Sequence, residues 1–413
     1  MNITEFSDIF TVVTVKFMAK NENRKRIYFD WAASSKVLAC CSSAVLNEAE
    51  CCIPFGNPSS LHSEGRAAKD ALETSRKRAA AVLKVPPETL YFTSGGTESN
   101  SIALFSNLMR PRTSGSYKGR VISSLTEHAS IREAMETLEK MGKPTGSIKV
   151  DSIGVVTPDL FEKALTQYGD VRFASIMSVN NETGAVTDIP SLKNIIKKQS
   201  GSPIHLHCDL VQAAGKIPVD ISNWEIDSAS ISAHKIGGPR GIGLLYLRKP
   251  LTEVFYTGGG QENKIRGGTE NVQGAVALAD CLEQRAGSTL QTEYAQAKTR
   301  WQKLITALLA MERCTIIPKE RTADDDRFSP YILQAAFKNI PGEVMARALD
   351  DLGFAVSTGS ACSSSSPERP VLSAMGVPEN LRIEGIRISQ GHATTDEDIN
   401  ALLFAINEVL KFL

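Results

Sequence analysis

Short β-rich runs alternate with longer amphipathic stretches through the middle of the chain, and this alternation limits the fold more than any other feature. "ETLYFTS" (88–94), "GRVISS" (119–124), "VRFASIMSV" (171–179), "PIHLHCD" (203–209), "SASISA" (228–233) and "GLLYLR" (243–248) read as strands. Between them, residues 65–84, 127–142, 157–167 and 189–200 place apolar side chains three and four apart, the spacing of surface helices. Strand–helix alternation predicts an α/β protein with a largely parallel sheet and helices on both faces. From about residue 270 the texture changes to a long, almost uninterrupted helical pattern, followed by mixed strand-like and helical segments. The expected organisation is an N-terminal extension (1–27), a large domain (28–285) whose first residues can pack with the small domain, and a smaller α+β domain (286–413).

Composition narrows the function classes. The 46 basic and 46 acidic residues cancel, so no overall field draws the chain to nucleic acid or to a membrane surface. No stretch approaches the ~18 apolar residues that span a bilayer. The first apolar run is short, lacks a basic region before it, and contains Glu5 and Asp8, which argues against a secretory or organellar leader. Met18 is the expected native start, because "MAKNENRKRIYFD" leads directly into the first strand. Eight cysteines in 413 residues are not a disulfide framework, and a reducing cytoplasm fits them. Four form the vicinal pairs Cys40–Cys41 and Cys51–Cys52 in a segment with helical apolar spacing; they read as small core hydrophobes rather than as metal ligands.

Three stretches carry chemistry. "TSGGTESNSIAL" (93–104) closes a strand on Gly95 and Gly96 and opens a helix near Thr97, a backbone suited to an anion. "HLHCDLVQAAGK" (205–216) ends an extended run on Asp209, at the strand end where ligands bind in open α/β sheets. His205 and His207 share one face of that strand and read as sheet packing. "SASISAHKIGGPRGIGLLYL" (228–247) sets Lys235 after a strand and before a glycine-rich turn. A lysine there is ordinarily a snorkelling surface charge, but a desolvated amine suits Schiff-base chemistry. An aspartate to hold a ring nitrogen protonated and a lysine to carry an aldehyde carbon, beside a phosphate-binding helix start, are what pyridoxal 5′-phosphate needs.

The chain resembles the cysteine desulfurases of the NifS/IscS-like group, class V of the type I pyridoxal-phosphate fold. The matching segments are "YFDWAASS" (28–35), "FGNPSSLHSEGR" (55–66), "YFTSGGTESN" (91–100), "TEHASI" (126–131), "VNNETGAV" (179–186), "HCDLVQAAGK" (207–216), "SAHKIGGPRGIG" (232–243), "GGGQENKIRGGTEN" (258–271), "STGSACSS" (357–364) and "IRISQG" (386–391), in the family's order and spacing. The resemblance implies a mostly parallel seven-stranded sheet flanked by helices, with a smaller α+β domain. It makes Lys235 the lysine that binds the cofactor and Asp209 the partner of its ring nitrogen. His128 becomes the histidine stacked on the ring, able to shuttle protons. Asn181 and Gln212 match contacts to the ring oxygen, Asn181 also lying near the substrate. Gly96, Thr97, Ser232 and His234 match the phosphate cradle, which Thr269 reaches from the second copy of a homodimer. Arg387 matches the arginine that grips the substrate carboxylate, and Cys362 the sulfur-accepting nucleophile.

The implied reaction converts L-cysteine to L-alanine and leaves a persulfide on Cys362 for delivery to an acceptor protein such as an iron–sulfur scaffold. No metal is implied. Cys362 stands in S-T-G-S-A-C-S-S-S-S (357–366), a composition that buries little apolar surface and costs little to move. Three departures from the family pattern stand out: Leu210 follows Asp209 where a smaller residue is common, four serines follow Cys362, and Gln390 replaces an apolar residue. A selenocysteine lyase or another class V enzyme is the nearest rival, and a non-catalytic sulfur-relay subunit or a metal-binding module are rivals of other classes.

Overall fold

The structure, a computed structural model, describes residues 26–41, 54–109, 119–199, 203–251, 254–359 and 369–413. Cys362, the pair Cys51–Cys52 and the expected start at Met18 lie outside the described residues. The chain divides into two compact units. The larger comprises Ser34–Asn181 and Ala185–Tyr294; the smaller comprises the described residues up to Ala33, Glu182–Gly184 and Ala295–Leu413.

Strand β1 (Ile27–Tyr28) belongs to the smaller unit. The larger holds β2 (Leu90–Thr93), β3 (Arg120–Ser124), β4 (Thr145–Ile148), β5 (Val171–Ser175), β6 (His205–Asp209), β7 (Ser228–Ser232) and β8 (Gly243–Leu247). They form one sheet in the order β2-β8-β7-β6-β5-β3-β4. The five strands from β7 to β4 in that order pair in parallel, while β8 runs antiparallel to both β7 and β2. It follows that β2 points the same way as β7, so the carboxyl ends of β2, β3, β6 and β7 share one edge of the sheet. That edge is where an open α/β sheet receives a ligand.

All six strands expected from the sequence are present. Each residue of β7 and β8 is buried, as a strand covered on both faces requires. The seventh, β4, went unread because only Ile148 of its four residues is buried and a glycine interrupts it. Helix Ala129–Lys140 buries Ala129, Ile131, Ala134, Met135 and Leu138, and this stripe packs with Leu104, Val121 and Phe173.

The long helical pattern after residue 270 is two helices, Val272–Gln284 and Gly287–Leu309. Gly287 at φ 55° turns the chain between them, a left-handed conformation that glycine adopts at little cost. The division into units falls inside the second helix, between Tyr294 and Ala295, about ten residues beyond the boundary expected from the sequence after 285.

The smaller unit contains β9 (Cys314–Ile317), β10 (Ile332–Phe337), β11 (Phe354–Ala355) and β12 (Gly385–Ser389). β10 lies between β12 and β9, antiparallel to both, and β1 pairs with β11 in parallel. Its core gathers Phe29, Trp301, Leu333, Phe337, Ile388 and Leu402. The closing helix, Asp396–Phe412, starts from a capping box in which Thr395 and Asp398 satisfy each other's backbone donors. No helix among the described residues is long and apolar enough to cross a membrane.

Candidate active site

The ligand edge of the larger unit brings together most of the residues singled out in the sequence. Asp209 closes β6 and is 4% exposed. Its carboxylate accepts from Asn100 Nδ2 and from the Val211 N–H, each at 2.9 Å. Lys235 ends a single 3-10 turn, Ala233–Lys235, that follows β7 directly. Ser35 Oγ donates to the Lys235 carbonyl at 2.8 Å, and the Ser35 N–H donates to the His234 carbonyl at 2.7 Å. The backbone carrying the lysine is thereby fixed from a second segment.

His128 caps helix Ala129–Lys140, its Nδ1 accepting from the Ser130 N–H at 3.1 Å. Burial holds its pKa below the usual range; Asp209 opposes this shift and Lys235 reinforces it. Asp209 and Lys235 therefore each lie within electrostatic reach of His128. Next to His128, Glu127 is fully buried, accepting from the Met177 N–H at 2.7 Å and from Ser175 Oγ at 3.2 Å. Burial and then the Asp209 charge push its carboxyl up to about 8. Glu127 had no role in the sequence reading, although it stands inside the motif "TEHASI".

The candidate anion cradle is tight. A Cβ on Gly96 would sit 2.6 Å from Val211 Cγ2, and one on Gly243 would sit 2.6 Å from the Gly95 Cα. Only glycines let these segments approach so closely. Ser232, buried, places its Oγ 3.5 Å from where a Gly95 Cβ would lie. Thr97 is exposed in the first turn of helix Gly96–Met109, where N–H groups have no helical partner. Glu98 in that turn accepts from the Ser94 N–H and from Arg266 Nε at 3.2 Å. Arg266 also reaches the carbonyl of the exposed Thr269, at 3.4 Å.

A clamp absent from the sequence reading holds this loop. Arg76 donates through both terminal nitrogens to Glu262, at 2.7 and 2.8 Å, and Arg76 also donates to the Leu90 carbonyl at 2.7 Å. Glu262 in turn accepts the Phe92 N–H at 2.8 Å. Glu262, Asn263 and Lys264 all adopt positive φ, so a strained left-handed turn is pinned to β2 by a buried ion pair.

Gln212 is buried and accepts from Lys216 Nζ at 2.7 Å. His234 is half-buried, and burial followed by Lys235, Lys216 and Arg240 brings its pKa down to about 4. Asn181 is buried at the end of a tight reversal in which the Asn180 N–H donates to the Ala185 carbonyl at 2.8 Å. Leu210 is fully buried, so the bulk that departs from the family pattern goes into the core.

The smaller unit carries Arg387 at the centre of β12, 1% exposed, donating to Asp30 Oδ1 at 2.8 Å. Gln390 is used completely: Nε2 donates to the carbonyls of Ala297 and Pro330, at 2.8 and 2.5 Å, and Oε1 accepts from Arg300. A hydrogen-bonded amide thus fills a place expected to be apolar. Cys362 lies outside the described residues, and on either side of it Arg369 donates to the carbonyls of Thr358 and Gly385.

The Cys40–Cys41 pair shows thiols 3.6 Å apart, Cys40 exposed and Cys41 buried with its Sγ donating to the Ala277 carbonyl. Burial leads the causes that push Cys40 up to about 11, while a hydrogen bond to Cys281 leads those that raise Cys41. Both stay protonated at neutral pH and are poor nucleophiles. Among the described residues, no group of three or more His, Cys, Asp or Glu side chains could hold a metal ion.

A mixed seven-stranded sheet with its ligand edge at Asp209 and Lys235 is the type I fold of pyridoxal-phosphate-dependent transferases. The chain belongs to the class V aminotransferase family, whose profile matches residues 27–402. It is 36% identical over 402 residues to the cysteine desulfurase IscS of Dictyoglomus turgidum, covering 94% of this chain and 96% of that protein. A NifS/IcsS protein homolog of Lactobacillus delbrueckii subsp. bulgaricus is 36% identical over 396 residues, covering 93% and 97%. A solved NifS-like protein superposes with a TM-score of 0.84 at 33% identity, over 94% of this chain and 100% of the other.

Proposed function

We infer that the chain is a pyridoxal-phosphate-dependent cysteine desulfurase, converting L-cysteine to L-alanine and passing the sulfur to an acceptor as a persulfide on Cys362. The observation that carries this reading is the meeting of Asp209, Lys235 and His128 at one sheet edge, in a chain 36% identical to an IscS desulfurase over nearly its whole length. The residues fit the cofactor. The Asp209 carboxylate is held by neutral donors and suits a cationic ring nitrogen; the glycine-lined helix start suits a phosphate.

When bound, pyridoxal phosphate supplies an electron sink for negative charge developing at the substrate's α-carbon. Asp209 would keep the ring nitrogen protonated. Lys235 would hold the cofactor through Nζ and, with substrate bound, would take up and return the α-proton, with His128 beside it as a hydrogen-bond donor. Gly96, Thr97, Ser232 and His234 would hold the phosphate, with Thr269 contributed by the second copy of a homodimer, and Asn181 and Gln212 would contact the ring oxygen. Arg387 binds the substrate carboxylate through its planar fork. The Cys362 thiolate attacks the substrate sulfur. An S–S bond forms as the C–S bond breaks, the electron pair stays with the carbon fragment, and that fragment takes up a proton and leaves as alanine. Balance requires no outside oxidant.

The acceptor is proposed to be an iron–sulfur cluster scaffold, and the setting the reducing cytoplasm that the free thiols favour. The test is an absorbance scan of the protein with added pyridoxal phosphate, followed by cysteine and assays for sulfide and alanine. Cys362→Ser should keep the cofactor's absorbance and lose sulfide release. Undiminished sulfide release by that variant would remove Cys362 from the mechanism.

A further inference from the structure

One hydrogen-bond chain crosses the sheet edge from His205 to His128, and the direction of every bond in it can be worked out. A carboxylate only accepts, so the Asn100 atom 2.9 Å from Asp209 Oδ2 is its NH₂ group. The other amide atom, Oδ1, then accepts from His207 Nε2 at 2.9 Å, which places a proton on that nitrogen. Ser230 Oγ stands 3.4 Å from the same nitrogen. With Nε2 protonated and the ring neutral, His207 Nδ1 accepts from Ser228 Oγ at 2.7 Å, and Ser228 accepts from His205 Nε2 at 2.7 Å. Complete burial holds the His207 pKa down to about 3, which keeps that ring neutral. Both imidazoles also stack on Phe173.

The amide's second N–H points the other way, to Ser130 Oγ at 2.9 Å. The Ser130 N–H donates to His128 Nδ1 at 3.1 Å, so that nitrogen carries no proton, and Ser130 Oγ, 2.9 Å from it, donates to it as well. Two donors converge on one ring nitrogen, and the proton of the neutral ring is left to Nε2.

We propose that Asn100 is a positioning residue whose amide, oriented by Asp209 and His207, turns the Ser130 hydroxyl onto Nδ1 and so holds neutral His128 as the Nε2–H tautomer, which presents a hydrogen-bond donor at Nε2 and keeps no lone pair there to take a proton. Asn100 is 1% exposed, on the inward face of helix Gly96–Met109, and it serves both groups assigned to the cofactor ring. One side chain thus couples the orientation of the Asp209 carboxylate to the proton position on His128. The catalytic consequence rests on the role given to His128 above; the tautomer does not.

Ring-nitrogen NMR of the full chain with isotope-labelled histidine tests it, the six histidines being assigned by replacing each in turn. Without cofactor at neutral pH, His128 should show a protonated Nε2 and a bare, hydrogen-bonded Nδ1. Asn100→Leu should shift the Nδ1 resonance, because the Ser130 hydroxyl is no longer turned towards it, and lower kcat on the order of ten- to hundredfold, with KM nearly unchanged. Ser130→Ala should shift it at least as far and in the same direction, because it removes the side-chain donor itself and leaves only the backbone donor at 3.1 Å. A wild-type His128 protonated on Nδ1 overturns the proposal, as do ring shifts left unmoved by Asn100→Leu. If Asn100→Leu does not fold, the wild-type tautomer and Ser130→Ala decide. A protein with the expected tautomer but no sulfide release would sink the desulfurase reading and leave this one standing.

Discussion

Asp209 and Arg387 are both buried charges on β-strands, and their surroundings are opposites. The donors named at Asp209 are neutral, an amide side chain and a backbone N–H, so its charge is oriented but not cancelled. Arg387 is matched by the carboxylate of Asp30 at 2.8 Å. A charge fixed by dipoles alone remains available to an ion of opposite sign. A charge already in an ion pair must share its partner, and an incoming anion gains less. The contrast fits a resident cofactor at the first and a substrate that comes and goes at the second.

Substitution can break that contrast. Asp209→Ala should cost the most, on the order of 10²–10³ in activity, because the developing charge loses its electrostatic support. Cofactor titrations followed by absorbance should show weakened binding; an unchanged absorbance and affinity would dissociate Asp209 from the ring. Arg387→Ala should lower kcat/KM by roughly 10–100-fold, the worth of a charge-assisted hydrogen bond, mostly through KM and with cofactor absorbance intact. A fall in kcat with KM unchanged would show that Arg387 does not bind the substrate in its ground state.

A third substitution, Glu127→Gln, acts on stability rather than on activity and is read against pH. The carboxyl has a folded pKa of about 8 against an ordinary 4.5, so the folded state holds its proton where the unfolded state has lost it. Stability therefore falls as pH rises from 4.5 towards 8, by an upper bound of about 5 kcal/mol. Glutamine has no proton to lose. Melting curves should show the variant gaining on the wild type across that window, and parallel curves would mean that Glu127 is already ionised.

The parts of the fold and site that were legible are those with a local signature. Strands β5 and β8 are rich in apolar residues, β6 and β7 alternate apolar residues with polar ones, and Asp209 and Lys235 stand where such runs stop. The break at Gly287 was not legible, because helical periodicity continues on both sides and the glycine's positive φ leaves no trace in composition. Asn100, Ser130 and the Arg76–Glu262 clamp were missed for another reason. Each acts through a partner far along the chain: Asn100 through His207 and Asp209, Arg76 through Glu262. The one available signal was a polar residue on the inward face of a helix that starts at the ligand edge, and Asn100 is such a residue. His205 and His207 were read as packing residues. Their rings do stack on Phe173, but their nitrogens carry the hydrogen-bond chain.

The approach of Gly96 to Val211 limits how the chain can change over evolutionary time. With only 2.6 Å between a would-be Cβ and Val211 Cγ2, alanine at 96 demands that Val211 shift or that position 211 become smaller. Two positions far apart in sequence are thus tied together, and descendants of this chain that lose the glycine should show a compensating change at 211 more often than those that keep it.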